Sequence, residues 1–135
     1  MALQLELATP TRLVVSEEVD EVVAPGIEGY FGVWPGHAAF LTTLGAGELS
    51  YRQGRQEHYV AVAGGFAEVR NDKVVILADT AEHPEEIDRE RAARARQRAE
   101  QRLSGRSQDE IDFARATAAL ARALTRLQVS SRALG

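Results

Sequence analysis

The period of the apolar residues changes once along this chain, at His83-Pro84, and that switch fixes most of what the chain can fold into. Before it, apolar and polar residues alternate in short β-rich runs: Leu3–Leu7, Arg12–Val15, Val19–Ala24, Tyr30–Val33, Phe40–Leu44, Glu48–Tyr51, His58–Val62, Phe66–Val69 and Lys73–Leu77. Turn chemistry separates them at Thr9-Pro10, Ala24-Pro25-Gly26, Glu28-Gly29, Gly54-Arg55, Gly64-Gly65 and Asn71-Asp72. Nothing long enough for a crossover helix intervenes, so the strands are expected to pair antiparallel in a sandwich or barrel. The Gly64-Gly65 pair interrupts an otherwise good strand and predicts a bulge or corner.

After Pro84 there is no further proline, and alanine becomes abundant at helical spacing. Asp88 is placed to cap a first helix, with Ile87 before it to pack on Ala92 as a hydrophobic staple. Leu103-Ser104-Gly105 ends that helix. Ser107-Gln108-Asp109-Glu110 has the form of a capping box for a second helix running to about Val129, and so short a connection makes the pair an antiparallel hairpin. The expected facing stripes are Ala92, Ala95, Ala99 and Leu103 on the first helix, and Phe113, Ala116, Leu120, Leu124 and Leu127 on the second. The chain is therefore expected to be α+β, with an antiparallel β domain over 1–84 and a two-helix hairpin over 85–135.

A seam so rich in alanine buries little area. At about 25 cal/mol per Å² it contributes only a few kcal/mol, which the ordering entropy of the tail offsets. The hairpin needs a second surface, on the β domain, on another protein or on a ligand.

Charge follows the same division. Residues 1–84 hold five basic and twelve acidic side chains, giving −7, whereas residues 85–135 hold eleven arginines and eight acids, giving +3. Arg91, Arg94, Arg98 and Arg102 share one face of the first helix, and Arg115, Arg122 and Arg126 one face of the second. Arginine suits forked recognition of phosphate or carboxylate, and two such faces in an antiparallel pair can converge on a polyanion. A solvated basic face on an amphipathic helix gives the same pattern.

Other chemistries find little support. The chain has no cysteine, and His37, His58 and His83 lack metal-ligand spacing, so neither a disulfide framework nor a metal site is expected. No nucleophile elbow, zinc-protease motif or phosphate loop ending in Lys-Ser/Thr is present, and no enzymatic activity is expected of the chain alone. The N-terminus lacks a basic and apolar leader, and no apolar run approaches the ~20 residues of a membrane span, so a soluble chain is expected.

Residues 26–40 set four glycines and a proline between two apolar segments, in the order G-x-x-G-x-x-G-x-x-P-G-H. With Ala63-Gly64-Gly65-Phe66, Leu77-Ala78-Asp79-Thr80-Ala81 and Ile111-Asp112-Phe113-Ala114-Arg115 downstream, this pattern resembles the epsilon subunit of rotary F-type ATP synthases over essentially the whole chain. The resemblance implies a non-catalytic subunit of the central rotor at the cytoplasmic face of a bacterial plasma membrane, reaching the membrane only through its complex. The β-sandwich would bind the gamma subunit and the ring of c subunits. The hairpin would lie folded on the sandwich or extend toward the catalytic alpha and beta subunits and block ATP hydrolysis. Contact candidates at the glycine-rich tip are Glu28, Tyr30, Trp34 and His37, although Val33 is better placed in the core.

Relatives that bind ATP carry I/L-D-x-x-R-A at the base of the first helix, matched here by Ile87-Asp88-Arg89-Glu90-Arg91-Ala92. The resemblance adds Arg98 on the same helix, Arg122 and Arg126 on the second, and Glu82 before the motif. In this reading Asp88 accepts hydrogen bonds from adenine or from the helix start, and the arginines neutralise phosphates, with ATP a regulatory ligand and no cofactor required. The rival is an adaptor that grips nucleic acid or another polyanion with its Arg-rich hairpin. The chain's pI of about 5.4 and the few aromatics in the tail weigh against nucleic acid.

Overall fold

The computed structural model describes residues 2–105 and 109–134. Eight strands occupy the first part of those described residues: β1 (Leu3–Ala8), β2 (Leu13–Val19), β3 (Glu21–Gly26), β4 (Gly29–Val33), β5 (Phe40–Thr43), β6 (Gly47–Gln53), β7 (Gln56–Arg70) and β8 (Lys73–Glu82). Their order across the sheet is β2-β1-β8-β7-β6-β3-β4, with β5 also pairing with β7. Two of the runs read from the sequence, 58–62 and 66–69, are one strand. The first half of β7 pairs with β6 and its second half with β5, so this strand belongs to both layers of a sandwich.

The turn between the halves falls at Gly64 and Gly65, with φ of +69° and +96°. It is a corner and not a bulge, because the β7–β8 register is the same on both sides: Ala63 opposes Thr80 and Gly65 opposes Ala78. Glycine is required there, since a side chain on Gly65 would drive into the backbone of Leu77. One pair departs from the antiparallel expectation. β1 lies parallel to β8, Leu5 beside Val74 and Leu7 beside Ile76, with β2–β7 between them supplying the long connection that a parallel pair needs. The strict alternation of Leu3-Gln4-Leu5-Glu6-Leu7 buries all three leucines completely, against Val22, Leu49, Val60 and Ile76.

The hairpin consists of α1 (Arg89–Leu103) and α2 (Glu110–Ser130). Asp88 caps α1 as expected, its carboxylate accepting from the Arg91 N–H at 3.0 Å. The cap of α2 is Asp109, accepting from the Asp112 N–H at 2.8 Å, so the helix begins two residues later than the Ser107 box implied; Ser107 itself lies outside the described residues. The second stripe also differs. Phe113 and Leu124 are exposed; the hairpin buries Ala92, Ala99 and Ala116 as expected, and adds Ala123. Alanine at these positions permits close helix approach, which turns the bulkier side chains outward, while α2 spends a further face, Thr125 and Val129, on the sandwich.

Docking of the hairpin explains a third difference. Ile87 clusters with Ala61, Val129 and Tyr59 rather than with Ala92, so it joins the two domains instead of stapling the helix. Around this cluster, Arg126 donates to Glu82 at 2.7 and 3.2 Å, and Arg132 donates to Glu48 at 3.0 and 2.9 Å while lying 4.1 Å above the Tyr59 ring. Arg12 forks onto Glu86 at 2.7 and 2.8 Å and fastens the 3₁₀ turn Pro84–Glu86 to the β1–β2 loop.

That last pair has a pH signature. The Arg12 fork, with help from the His83 backbone N–H, holds the Glu86 carboxyl down at about 2, against an ordinary 4.5. A carboxylate whose folded pKa is depressed stabilises fully above its unfolded pKa and loses that contribution as pH falls through the folded one. The stability difference between the wild type and Glu86→Gln, followed by urea titration, is therefore expected to be constant above about pH 4.5 and to vanish toward pH 2. Both side chains are partly exposed, which keeps the effect modest. A difference that persists at pH 2 would remove the ion pair as its cause.

Candidate functional site

Between the hairpin and the sandwich lies a cavity of about 630 Å³. α1 contributes Arg91, Arg98 and Arg102 to its wall, α2 contributes Arg122 and Arg126, and β8 contributes Asp79 and Glu82. Helical spacing aims the arginines of each helix to one side, and docking through Ile87 and Val129 brings both sides over β8. Arg126 is neutralised by Glu82, and Arg12, also at the wall, by Glu86. Arg91, Arg98, Arg102 and Arg122 form no ion pair among the described residues. Guanidinium groups gathered on one concave space suit an anion, since each offers a planar set of donors and a permanent charge.

Five of the eight residues expected at a nucleotide site thus line one cavity: Glu82, Arg91, Arg98, Arg122 and Arg126. Three do not. Ile87 is buried in the interdomain cluster, Ala92 is fully buried in the hairpin, and the Asp88 carboxylate is engaged at the helix start. The sequence alone placed Arg94 and Arg115 on the same faces, but neither lines the cavity. Asp79 and the threonines Thr9 and Thr80 were missed; they are opposite the arginines only because β8 and the β1–β2 loop run beneath the hairpin.

At the tip, Glu28, Tyr30 and Trp34 are exposed and His37 is half-buried. Trp34 lies flat against Gly32, and the Tyr30 hydroxyl accepts from the Glu48 N–H at 3.0 Å, so both aromatic rings are held in place rather than free. His37 packs edge-on to Phe40. Val33 is fully buried, in the core where its alternation put it.

A second surface was not read from the sequence. Register places Leu13, Ala8, Leu77, Phe66 and Thr43 side by side across β2, β1, β8, β7 and β5. Their sequence neighbours Leu7, Ile76 and Ala67 point into the core, as does Val15 on the far side of a register shift between β1 and β2, so this row faces outward, and its three large apolar members are exposed. Leu41, two residues from Thr43 on the same side of β5 and 67% exposed, extends the patch. The available signal was apolar residues at both alternating positions of the runs 12–15 and 73–77.

The two parts of the chain match two family descriptions in the same order: ATP synthase, Delta/Epsilon chain, beta-sandwich domain over residues 2–84, and ATP synthase, Delta/Epsilon chain, long alpha-helix domain over residues 85–131. The chain belongs to the ATP synthase delta/epsilon family. It is 52% identical over 132 residues to the ATP synthase epsilon chain of Nitratidesulfovibrio vulgaris, covering 98% of each chain. With the ATP synthase epsilon chain of Citrifermentans bemidjiense it shares 50% identity over 131 residues, 97% of this chain and 95% of that one. Among solved structures it resembles a chain of the Euglena gracilis mitochondrial ATP synthase, OSCP/F1/c-ring, with a TM-score of 0.79 and 27% identity over 99% of this chain and 82% of that one. A chain of the Tetrahymena thermophila mitochondrial ATP synthase central stalk and c-ring shares the fold, with a TM-score of 0.59 at 20% identity over 98% and 96% of the two chains. As a member of the delta/epsilon family the chain is a subunit of an assembly and not an enzyme by itself.

Proposed function

We propose that this chain is a rotor subunit that couples the gamma subunit to the c-ring and restrains ATP hydrolysis with its hairpin, which ATP holds in the folded state. The observation that carries the regulatory part is the cavity. It exists only while both helices lie together on the sandwich, and four of its arginines have no partner within the described residues. A polyanion bound there favours the docked hairpin, because a ligand that binds one state stabilises it by RT ln(1 + [L]/Kd). At about 100 times Kd this amounts to about 2.7 kcal/mol, enough to move a balanced hairpin almost wholly to one side.

The partner part draws on the exposed row from Leu13 to Phe66, whose apolar character suits a subunit interface, and on the fixed aromatic rings of the tip. Extension of the hairpin would carry its net positive charge toward the alpha and beta subunits. A nucleic-acid adaptor fits less well, since the chain's pI is about 5.4 and its Arg-rich tail has few aromatics on which bases could stack.

Calorimetry of the isolated chain with ATP tests this function. Arg98→Ala and Arg122→Ala are each expected to weaken binding at least tenfold, because a charge-assisted hydrogen bond is worth roughly 1.5–3 kcal/mol. Undiminished binding in both variants, or no heat from the wild type at millimolar ATP, would refute the nucleotide site.

A further inference from the structure

Glu48 is held from two sides, by the tip and by the end of the hairpin. On the first side the sheet leaves its backbone short of a neighbour. β3 pairs with β6 from Glu21 opposite Arg52 to Val23 opposite Ser50, and continuing that register would set Pro25 opposite Glu48. The Pro25 carbonyl accepts instead from the Gly45 N–H at 2.9 Å. Tyr30, the partner of Pro25 across β3 and β4, reaches past it, and its hydroxyl accepts from the Glu48 N–H at 3.0 Å. The seat exists because residue 47 is glycine: a Cβ there would run into the Tyr30 hydroxyl and Pro25.

On the second side the Glu48 carboxylate accepts from Nε and Nη2 of Arg132 at 3.0 and 2.9 Å, a fork of fixed geometry. Glu48 stands opposite Ala61, a member of the interdomain cluster, and the Arg132 guanidinium lies 4.1 Å above the ring of Tyr59, which packs on that cluster. The Glu48 side chain is only 11% exposed, so this pair is less screened than an ordinary surface bridge. Arg132 belongs to the 3₁₀ turn Ser131–Ala133 that follows α2. The clasp therefore exists only while the hairpin is docked.

We propose that Glu48 couples the tip to the hairpin, so that a protein partner whose polar group takes the Tyr30 hydroxyl away from the Glu48 N–H loosens the Arg132 clasp and favours release of the hairpin. The Tyr30 ring is 60% exposed and within reach of such a partner. Once the hydroxyl leaves, the N–H lacks an acceptor and the start of β6 shifts to find one, carrying the carboxylate out of line with the guanidinium. Linkage makes the effect reciprocal: a docked hairpin holds Tyr30 in its seat. The coupling belongs to the chain alone; its use in an assembly rests on the tip contact proposed above.

The experiment is a double-mutant cycle on the full chain: wild type, Tyr30→Phe, Arg132→Ala and the pair, read as the rate of limited proteolysis at residues 85–90, with urea titration of the β domain alongside. Cleavage tracks the population of the undocked hairpin. Arg132→Ala is expected to raise it about fivefold, the scale of one charge-assisted contact at a partly exposed site. Tyr30→Phe, which keeps the ring and removes only the hydroxyl, is expected to raise it about twofold when Arg132 is present and not at all when Arg132 is absent. A purely structural role for Tyr30 would weaken the β domain and raise cleavage by the same factor in both backgrounds, and that result would overturn the coupling. Cleavage of Arg132→Ala at the wild-type rate would overturn the clasp itself. Neither readout involves a nucleotide, so failure of the ATP site leaves this cycle unchanged.

Discussion

Replacing Gly65 by valine is expected to unfold the β domain or bring it to the edge of unfolding. The residue sits at φ +96°, a region that β-branched side chains hardly enter, and a Cβ there collides with the backbone of Leu77. Backbone cannot yield as a flexible side chain would. Moving it breaks the pairing of β7 with β8, the strands that carry the sheet from one layer to the other. Strain and lost pairing together are expected to cost about 3 kcal/mol or more, a large share of the 5–15 kcal/mol that holds a typical domain. Gly54→Asn is the control: Gly54 also has positive φ, at +61°, but a Cβ there meets nothing, and asparagine tolerates that conformation. Urea titrations should show Gly54→Asn within about 0.5 kcal/mol of the wild type. A similarly small effect for Gly65→Val would mean that the corner is not where the sheet turns.

The two glycines were legible as a break in the strand, but which kind of break was not. A bulge and a corner both call for positive φ, and only the partner strands distinguish them. The same holds elsewhere. Leu3, Leu5 and Leu7 announced their burial because one face of β1 meets the core and the other carries Gln4 and Glu6, whereas the parallel pairing of β1 with β8 leaves no mark in either strand's own pattern. On α2 the periodic large residues drew attention to Phe113 and Leu124, yet the close-packed seam wanted alanine, and alanine occurs on every face of that helix. A helix that must satisfy two neighbours has no single stripe to read.

The site divides along the same line. Arg91, Arg98, Arg122 and Arg126 could be put on common helix faces from spacing alone, and the family resemblance suggested the nucleotide role proposed for them. Asp79, Thr9 and Thr80 come from strands and a loop far away in sequence, and their place opposite the arginines depends on how the hairpin docks. Docking in turn depends on Ile87 and Val129, whose apolar character is equally compatible with a staple and a helix end.

That dependence makes Val129→Asp the second large effect. Val129 is fully buried among Ala61, Ile87 and Tyr59 at the point where α2 meets the sandwich. An ionised carboxylate there must be desolvated, at a cost of several kcal/mol, or the contact must open. Opening is the cheaper course, because the hairpin adds to this cluster only the partly exposed ion pairs of Arg126 and Arg132 and an alanine seam of its own. The variant is therefore expected to keep a cooperative β-domain transition while the hairpin becomes sensitive to limited proteolysis near residues 85–90 and ATP binding falls below detection. In the assembled enzyme the released hairpin is free to extend, so ATP hydrolysis should decrease relative to the wild type and recover when residues 85–135 are deleted. Protection of the hairpin at wild-type level would show that Val129 does not hold the domains together. Release of the hairpin with hydrolysis unchanged or raised would instead leave the docking intact as an account of the fold and remove the hairpin as a brake.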